Sequence, residues 1–521
     1  MKVEAVQLSF VILILVIAVT TAMYFNDFRN GDEVLTYSGA NSSGNIWMFS
    51  VDKIWYSGQE IKNFLSVSPE NRFDYRSVVS NSLLDSGNNF LYYLFVHTVS
   101  SMVPEYSFSK WCGFFVNIIF FIGTLLILFK LGKIYLLSKN LSFVVLLLYL
   151  CMNGLRIVTF LRSYQMLIFF TLFLFYRHLL LCGYMEGKEG CKPKCHDFAL
   201  IGFICILSFW SSFLTSVIVL VLGVIIVFHL IKNIKHKNVV KQIFLPYLFT
   251  ITISTMIALL GIPTFLSMML DKLRGDSGNK SLIADTVIAI SNFLIEMFGN
   301  HVTLLMTLLF GFVVTVHEYR KGRRFSNLDS KWQMLILFMI GYLLVSAILT
   351  RSGARYLWPV FPFILILFGK YLQNIYDKNL ILWKKFLLAL LVIVICASGI
   401  YSYQYQKFQS EIYFIQRDRR EAIENSGEDI AVFIRNHGMG YDYVPLLMNF
   451  SDVMVIERPT QDYRNYNNEL MLQNSESICV INVSGLDVNS DIEDWLSSEL
   501  GYIEFDVLYT VKSQTIYRFR K

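Results

Sequence analysis

Long apolar runs separated by short polar segments fill the chain from about residue 8 to residue 400, a pattern typical of a polytopic helical membrane protein. One run, residues 198–231, exceeds the length of a single span and has basic segments on both sides. It predicts a helical hairpin that turns near Trp210-Ser211-Ser212. The other predicted spans, which bring the total to about eleven, are residues 8–25, 111–129, 141–155, 166–181, 243–261, 302–316, 334–349, 357–368 and 386–400.

Lysine and arginine residues concentrate in alternate short connections, namely those after the second, fourth, sixth, eighth and tenth predicted spans. The strongest cluster is residues 317–324, with the sequence HEYRKGRR. By the positive-inside rule these connections are cytoplasmic, so the amino terminus is expected inside and the carboxyl terminus outside. The loop of residues 24–108 is then external, and its aromatic residues, including Trp47 and Trp55, favour helices lying in the membrane interface.

The composition changes after residue 402. Residues 1–402 form the predicted transmembrane domain, whereas residues 403–521 are polar and charged and contain no spanning run. Alternating apolar positions predict strands at residues 452–456, 477–482 and 505–509, and residues 421–435 and 491–500 are predicted as helices. The expected fold is therefore an α-helical polytopic membrane protein with a small soluble α/β domain on the outer side.

The overall composition supports a membrane protein and argues against nucleic acid and zinc as partners. Hydrophobic residues make up 55% of the chain and charged residues 16%, and the mean hydropathy is +0.50. The net charge of +6 does not indicate nucleic acid as a partner, because the basic residues act as topology signals. Among the eight cysteines only Cys191 and Cys195 are spaced as a pair, and without a second pair of ligands they predict reduced thiols instead of a zinc site.

Two adjacent carboxylates, Asp32 and Glu33, follow the first span within a few residues. A third acid, Asp85, precedes the aromatic residues 90–93, FLYY, which include Tyr92. A carboxylate at the outer membrane surface can act as a general base toward an acceptor that meets a lipid-borne substrate. The alternative is a solvated helix start, because acids are favoured near helix amino termini.

Arginine residues gather in two short connections on the predicted outer side, where the positive-inside bias makes them unusual. Guanidinium groups bind phosphate through paired hydrogen bonds and can neutralise an anionic leaving group. The alternative is that they snorkel to the interface from span ends. The candidates are Arg156 and Arg162, between the third and fourth spans, and Arg351 and Arg355, between the ninth and tenth.

Four sequence elements, in this order, resemble a known superfamily. Asp32-Glu33 comes first, then Asp85 to Tyr93, then Arg162-Ser163-Tyr164 at the outer start of the fourth span, and last RYLWPVFP, residues 355–362, which opens a late span. The arrangement over residues 1–400 resembles the lipid-carrier-dependent membrane glycosyltransferases of the GT-C superfamily, in particular the protein O-mannosyltransferases and the aminoarabinose transferases of lipid A. Asn88, Asn89 and Phe90 depart from that pattern, where prolines and a phosphate-binding lysine are usual, so the phosphate contact and the sugar stay open.

The resemblance implies a function and partners. It implies an inverting transfer of a sugar from a polyprenyl-phosphate carrier to an external lipid, surface polysaccharide or protein, with membrane lipids around the spans. The architecture favours a bacterial inner membrane, and an endoplasmic reticulum location would keep the same mechanism. No cofactor and no catalytic metal is expected. Asp32 would be the base, and Glu33 and Asp85 would shape the acceptor or sugar site. The expected substrate-binding residues are Tyr92, Arg156, Arg162, Tyr164, Arg351, Arg355 and Tyr356.

Three alternatives remain at this stage. A polysaccharide polymerase or ligase that uses a lipid-linked glycan would place its main catalytic loop late in the chain. A flippase or transporter of lipid-linked sugars would line its spans with ionisable residues, yet no charged residue falls in the middle of a predicted span, and His97 is expected to be a buried polar contact. A simple membrane anchor would not need about eleven spans.

Overall fold

The computed structural model shows a chain dominated by long apolar helices. Among the described residues, seven helices are long and apolar enough to cross a membrane: Val3–Tyr24, Lys110–Leu136, Lys139–Thr159, Tyr164–Met185, Gln242–Gly261, Ser330–Ile348 and Ala354–Gln373. Shorter apolar helices are Cys195–Ser211, Thr215–Ile231 and Val392–Tyr401. The structure describes all residues except 1, 26–30, 44–45, 47, 50–53, 85–88, 104–107, 187–192, 233–236, 262–281, 299–302, 306–328, 351–353, 377–388, 391, 402, 404–420, 422, 424–427, 437–439, 459–469, 484–488 and 512–513.

The apolar helices leave large hydrophobic side chains uncovered by protein. Phe10 on the first helix and Leu260 near the end of helix Lys237–Gly261 are 62% and 78% exposed. Exposure on this scale costs roughly 25 cal/mol per Å² in water but nothing against lipid acyl chains. The helices and their uncovered apolar surface are those of an integral membrane protein.

The helices agree with the predicted spans wherever the structure describes them. The predicted hairpin is formed by helices Cys195–Ser211 and Thr215–Lys232, which meet at the predicted serine turn. Ser208 Oγ and Thr215 Oγ1 lie 2.8 Å apart across this turn. Parts of the prediction lie outside the described residues: nearly all of the eighth span (residues 302–316), the basic segment 317–324, Trp47, Cys191, Asp85 and Arg351.

One helix of this part was missing from the sequence prediction. Helix Leu282–Phe298 lies between the predicted spans 243–261 and 302–316 and has Asp285 in its first turn. Its buried side chains Ala289, Phe293 and Met297 are four residues apart and therefore line one face. A search for uniformly apolar spans overlooks a helix with this one-sided pattern.

The amino-terminal end of the first helix lies beside the basic connection between helices Lys110–Leu136 and Lys139–Tyr149. Lys133 Nζ donates a hydrogen bond to Glu4 Oε1 at 2.5 Å, and Lys139 Nζ donates to Gln7 Oε1. Both contacts join ends of helices on one side of the helical bundle. That placement agrees with an amino terminus on the same side as the basic connections.

The chain divides into two compact units. The first unit comprises Met1–Met23, Ser86–Tyr92 and Phe114–Tyr405, and it contains most of the apolar helices. The second unit comprises Tyr24–Asp85, Tyr93–Gly113 and Gln406–Lys521, so it combines the loop after the first span with the carboxyl-terminal part of the chain. The loop contributes helices Gly31–Asn41, Gly58–Leu65, Tyr75–Leu84 and most of Phe90–Ser101.

A six-stranded sheet forms the centre of the second unit. The strands are Trp55–Ser57 (β1), Ile430–Asn436 (β2), Asp452–Arg458 (β3), Ser477–Asn482 (β4), Glu504–Val511 (β5) and Gln514–Arg520 (β6). Their order is β1-β3-β2-β4-β6-β5, with β3, β2 and β4 parallel and the outer pairs antiparallel. Strand β1 comes from the first loop and pairs with β3, with Tyr56 opposite Val453.

The predicted strands are confirmed in β3, β4 and β5, but the helix predicted over residues 421–435 is wrong where β2 takes its place. Residues 431–434 of β2 are fully buried, because a central parallel strand is covered on both faces. Such a strand has a continuous apolar run instead of an alternating pattern, and the run alone does not distinguish it from a buried helix. The helix predicted over residues 491–500 is Asn489–Ser498.

Candidate active site

A distorted turn precedes the first arginine candidate. Helix Lys139–Tyr149 continues into a π-helical turn, Leu150–Gly154, and then into the short helix Leu155–Thr159 that contains Arg156. Gly154 is required there, because a Cβ atom would lie 2.3 Å from the carbonyl oxygen of Tyr149. A π turn changes the direction in which the following side chains project and is frequent at functional sites.

The side chains of two residues from distant segments, Glu296 and Trp358, contact Arg156. Its guanidinium nitrogen Nη1 lies 3.2 Å from Glu296 Oε1, and its Cζ lies 5.7 Å from the ring centre of Trp358. Trp358 Nε1 donates a hydrogen bond of 3.1 Å to the other carboxylate oxygen, Glu296 Oε2. The guanidinium, carboxylate and indole therefore hold one another in place, and we call these three residues the arginine cluster.

Aromatic rings surround the arginine cluster on the side of helix Tyr164–Met185. The ring of Tyr164 lies 5.2 Å from that of Trp358 and 6.1 Å from that of Tyr356. Phe160 stacks on Tyr164 at 5.9 Å, and Phe213 from the hairpin lies 6.1 Å from Tyr356. A charged group beside a wall of rings is suited to a ligand that is part anion and part apolar or sugar-like.

Buried amides fix the turn that contains Arg162. Asn117 Nδ2 donates to the carbonyl oxygens of Val158 and Phe160 at 3.0 and 2.8 Å, and the backbone N–H of Arg162 donates to Phe160 at 2.8 Å. Ser163 Oγ donates to Asn89 Oδ1. Arg162 itself is half-buried. The backbone on both sides of this arginine is therefore held rigidly.

Arg355 and Tyr356 lie in the 3-10 helix Ala354–Val360, which also contains Trp358. The Cζ atom of Arg355 lies 5.5 Å from the ring centre of Tyr356. Tyr342 Oη donates a 3.0 Å hydrogen bond to the carbonyl oxygen of Tyr356. The late arginine element and the Arg-x-Tyr element are thus joined through the contacts of Tyr164.

Asp32 and Glu33 occupy the first turn of helix Gly31–Asn41, in the second unit. The carbonyl oxygen of Asp32 accepts a hydrogen bond from Thr36 Oγ1 at 3.0 Å. Asp32 is half-buried, whereas Glu33 is only 1% exposed. The partial positive charge of a helix amino terminus favours acids at both positions. Because Asp32 is the more exposed of the two side chains, it is the one that a substrate can reach.

The packing of helix Gly31–Asn41 holds the acid pair in position. Tyr37 Oη donates to the carbonyl oxygen of Ser109 at 2.9 Å and accepts from the backbone N–H of Gly113 at 2.9 Å. Gly39 lies against the ring of Tyr93, so closely that a Cβ atom would be 2.7 Å from the ring. Helix Gly31–Asn41, which has the acid pair in its first turn, is therefore anchored by contacts with residues 93, 109 and 113.

The structure brings together three of the predicted substrate-binding residues, Arg156, Tyr164 and Tyr356, with Arg355 stacked on the last of them. Tyr92 is completely buried in helix Phe90–Ser101. Sequence reasoning missed Glu296 and Trp358. The signal for Glu296 was a single acid between the apolar residues Ile295 and Met297, and the signal for Trp358 was its place inside the RYLWPVFP element.

No metal-ligand group was found among the residues that the structure describes: no three histidine, cysteine, aspartate or glutamate side chains come together there as a metal ion would require.

Comparison with known proteins finds similarity only among solved structures. No protein-family model matches the chain, and no curated protein matches it. Two solved structures of ArnT from Cupriavidus metallidurans are similar to it. The one bound to undecaprenyl phosphate has 11% sequence identity and a TM-score of 0.47, and the apo one has 10% and 0.46. Each alignment covers 82% of this chain and 87% of the ArnT chain.

Proposed function

We propose that this protein transfers a sugar from a polyprenyl-phosphate carrier to an acceptor on the outer side of the membrane, with inversion at the anomeric carbon. The observation that carries the proposal is the arginine cluster: a partly accessible guanidinium at the end of an apolar helix, among aromatic rings. A polyprenyl-phosphate sugar combines an anionic phosphate, a sugar and a long apolar tail. The cluster provides a cation and rings within a lipid-facing protein, which suits all three parts.

In this proposal the arginines bind the phosphate of the donor. Arg156 is the central cation, and Arg162 and Arg355 supply further positive charge. Arg351, outside the described residues, belongs to the same connection as Arg355. Tyr164 and Tyr356 line the sugar beside Arg156, and Tyr92 is a further proposed substrate-binding residue. Guanidinium groups suit this task because they stay charged and offer paired hydrogen-bond donors to phosphate oxygens.

Asp32 is the proposed general base. Its carboxylate takes the proton of the acceptor hydroxyl as the acceptor oxygen forms a bond to C1 of the sugar. The bond between C1 and the phosphate oxygen breaks, and its electron pair stays on that oxygen. Polyprenyl phosphate leaves as an anion that the arginines stabilise. Attack on the face opposite the leaving group inverts the anomeric centre. Glu33 and Asp85 shape the acceptor or sugar site.

The proposed location follows from charge and hydropathy. The protein spans the inner membrane with its amino terminus in the cytoplasm, and the acid pair and the carboxyl-terminal sheet face outward. The acceptor is a lipid, a surface polysaccharide or a protein. Undecaprenyl phosphate, bound in one of the two ArnT structures, belongs to the proposed class of carrier, but the proposal rests on the residues of this chain.

A donor comparison tests the proposal. Membranes containing the protein are supplied with a radiolabelled sugar on polyprenyl phosphate, or with the same sugar on a nucleotide diphosphate. Transfer from the lipid donor alone, with an inverted anomeric centre by NMR, supports the proposal. Transfer only from a polyprenyl-diphosphate glycan indicates a polymerase or ligase. Movement of the labelled lipid across the bilayer without transfer indicates a flippase. Either of the last two results contradicts the proposal.

A further inference from the structure

Glu296 lies in an apolar helix, where placing an ionised carboxylate costs free energy. It is near the end of helix Leu282–Phe298, beside the buried residues Met297 and Phe298, and its side chain is only 19% exposed. An ionised side chain in an apolar segment needs partners and is by default a candidate for function. Both of its oxygens have them, since Oε1 lies 3.2 Å from Arg156 Nη1 and Oε2 accepts from Trp358 Nε1 at 3.1 Å.

The ion pair of Arg156 and Glu296 is fixed by its contacts, but its side chains are partly exposed. The Arg156 side chain is 31% exposed, so the pair is reachable from outside the protein. A carboxylate and a phosphate bind a guanidinium through the same kind of charge-assisted hydrogen bond, so the two anions compete for Arg156. Arg156 therefore has a resident anion at the position where the proposed donor phosphate would bind.

We propose that Glu296 is an exchangeable counter-ion of Arg156. The inference rests on the proposed function, because the exchanging anion is the phosphate of the lipid carrier. Before the donor arrives, Glu296 keeps the guanidinium neutralised and oriented over Trp358. When the phosphate binds, it replaces the carboxylate at Arg156, and Glu296 retains its hydrogen bond from Trp358. After transfer the carboxylate returns to Arg156 and helps release the polyprenyl phosphate.

This exchange has a kinetic signature that a purely structural ion pair lacks. Removing the charge of Glu296 takes away the competitor of the phosphate, so anionic lipid binds more tightly. The same change slows release of the anionic product, so turnover falls while donor affinity rises. A residue that only supported the fold would lower both affinity and turnover.

The test measures binding of farnesyl phosphate and of neutral farnesol to the purified full-length protein. For Glu296→Gln we expect farnesyl phosphate to bind about two- to fivefold more tightly, the upper part of the range for one partly exposed ion pair, with farnesol unchanged. Glu296→Asp, which keeps the charge one methylene further from Arg156, is expected to tighten binding less. Asp285→Asn is the matched control: it removes an acid from the same helix about 16 Å along its axis and leaves binding unchanged.

The outcomes separate this inference from the proposed function. If wild-type protein prefers farnesyl phosphate to farnesol but Glu296→Gln binds the phosphate equally or more weakly, the counter-ion role is wrong and the proposed function stands. If wild-type protein shows no preference for the phosphate, both are wrong. Tighter phosphate binding by Glu296→Gln together with slower multiple turnover supports the exchange.

Discussion

The ring of Tyr164 packs edge-on against the indole of Trp358, with 5.2 Å between ring centres. Tyr164 is the first residue of helix Tyr164–Met185, and Trp358 lies in the 3-10 helix Ala354–Val360. This contact joins two sequence elements that are far apart in the chain and that each contain a candidate phosphate ligand. The arrangement of the arginines therefore depends on aromatic packing as well as on charge.

Loss of the Tyr164 ring is expected to destabilise the first unit. Tyr164→Ala removes the contacts with Phe160, Tyr356 and Trp358 and should lower the free energy of unfolding by about 2–4 kcal/mol. Tyr164→Phe keeps the ring and should lose less than about 1 kcal/mol. Unfolding in a denaturant series in detergent measures both. Equal losses in the two variants would show that the hydroxyl, not the ring, makes the main contribution.

Gly399 permits a close crossing of the last apolar helix over the π-helical turn. A Cβ atom at this position would lie 2.2 Å from the carbonyl oxygen of Cys151 and 2.9 Å from Cα of Met152. Gly399→Ala should therefore destabilise the protein by about 1–3 kcal/mol through forced backbone movement.

Gly223→Ala is the control for this crossing, because no atom lies within 4 Å of its added Cβ. It should be neutral or stabilising by up to about 1 kcal/mol, the helix propensity difference between glycine and alanine. Thermal unfolding of both variants in the same detergent decides the point. A Gly399→Ala protein as stable as Gly223→Ala would contradict the close crossing.

Burial of His97 should make the second unit sensitive to acid. Burial lowers the pKa of His97 from its usual value near 6.5, partly offset by nearby backbone carbonyls and the carboxylate of Asp74. The ring is 1% exposed and packs against Tyr75 at 5.6 Å. Because the unfolded chain binds the proton more readily, the stability contribution is complete above pH 6.5 and is lost as pH falls from that value through the lower folded-state pKa of His97.

The measurement is thermal unfolding between pH 7.5 and 5 for wild type and His97→Phe. The wild-type protein should lose more stability than the variant over this interval. Asp74 titrates in a lower window, because its hydrogen bond from Ser77 lowers its pKa, so it contributes little between these pH values. Parallel pH profiles for the two proteins would mean that His97 is not the titrating group.

A buried ion pair joins strands β2 and β3 in the second unit, and its arginine also contacts an aromatic ring from the first loop. Arg435 Nη2 lies 3.2 Å from Glu457 Oε2, and the Arg435 guanidinium lies 4.7 Å from the ring centre of Phe49 and 5.2 Å from that of Tyr441. Arg435→Met leaves the Glu457 charge buried without its ion-pair partner and should cost about 3–5 kcal/mol.

The double variant Arg435→Met/Glu457→Leu should recover much of this loss, because it removes both charges from the interior. Chemical denaturation of the four proteins of the cycle gives the coupling free energy. Additive losses from the two substitutions would show that the charges are not coupled as their distance indicates.

The sequence was sufficient for the membrane helices and for part of the site. Apolar length predicts most spans, and the basic segments on both sides of residues 198–231 made the hairpin and its serine turn predictable. Arg156, Tyr164 and Tyr356 were all predicted as substrate-binding residues on the outer side, and the structure brings these three together.

Features that depend on long-range contacts were not predictable. Strand β1 has three residues and becomes a strand through pairing with β3, some 400 residues later in the chain. Strand β2 has the same apolar run as a buried helix, and its identity follows from neighbours on both sides. Glu296 is one acid on an amphipathic helix, and only the approach of Arg156 and Trp358 distinguishes it from a solvated residue.

The most direct test of the proposed chemistry is a single-turnover transfer assay with Asp32→Asn and a radiolabelled polyprenyl-phosphate sugar. Asp74→Asn is the control, since Asp74 also lies at a helix start, before Tyr75–Leu84, in the second unit. We predict that Asp32→Asn slows transfer by at least about 100-fold with unchanged donor binding, as loss of a general base requires, while Asp74→Asn transfers normally. Transfer by Asp32→Asn at the wild-type rate would contradict the account.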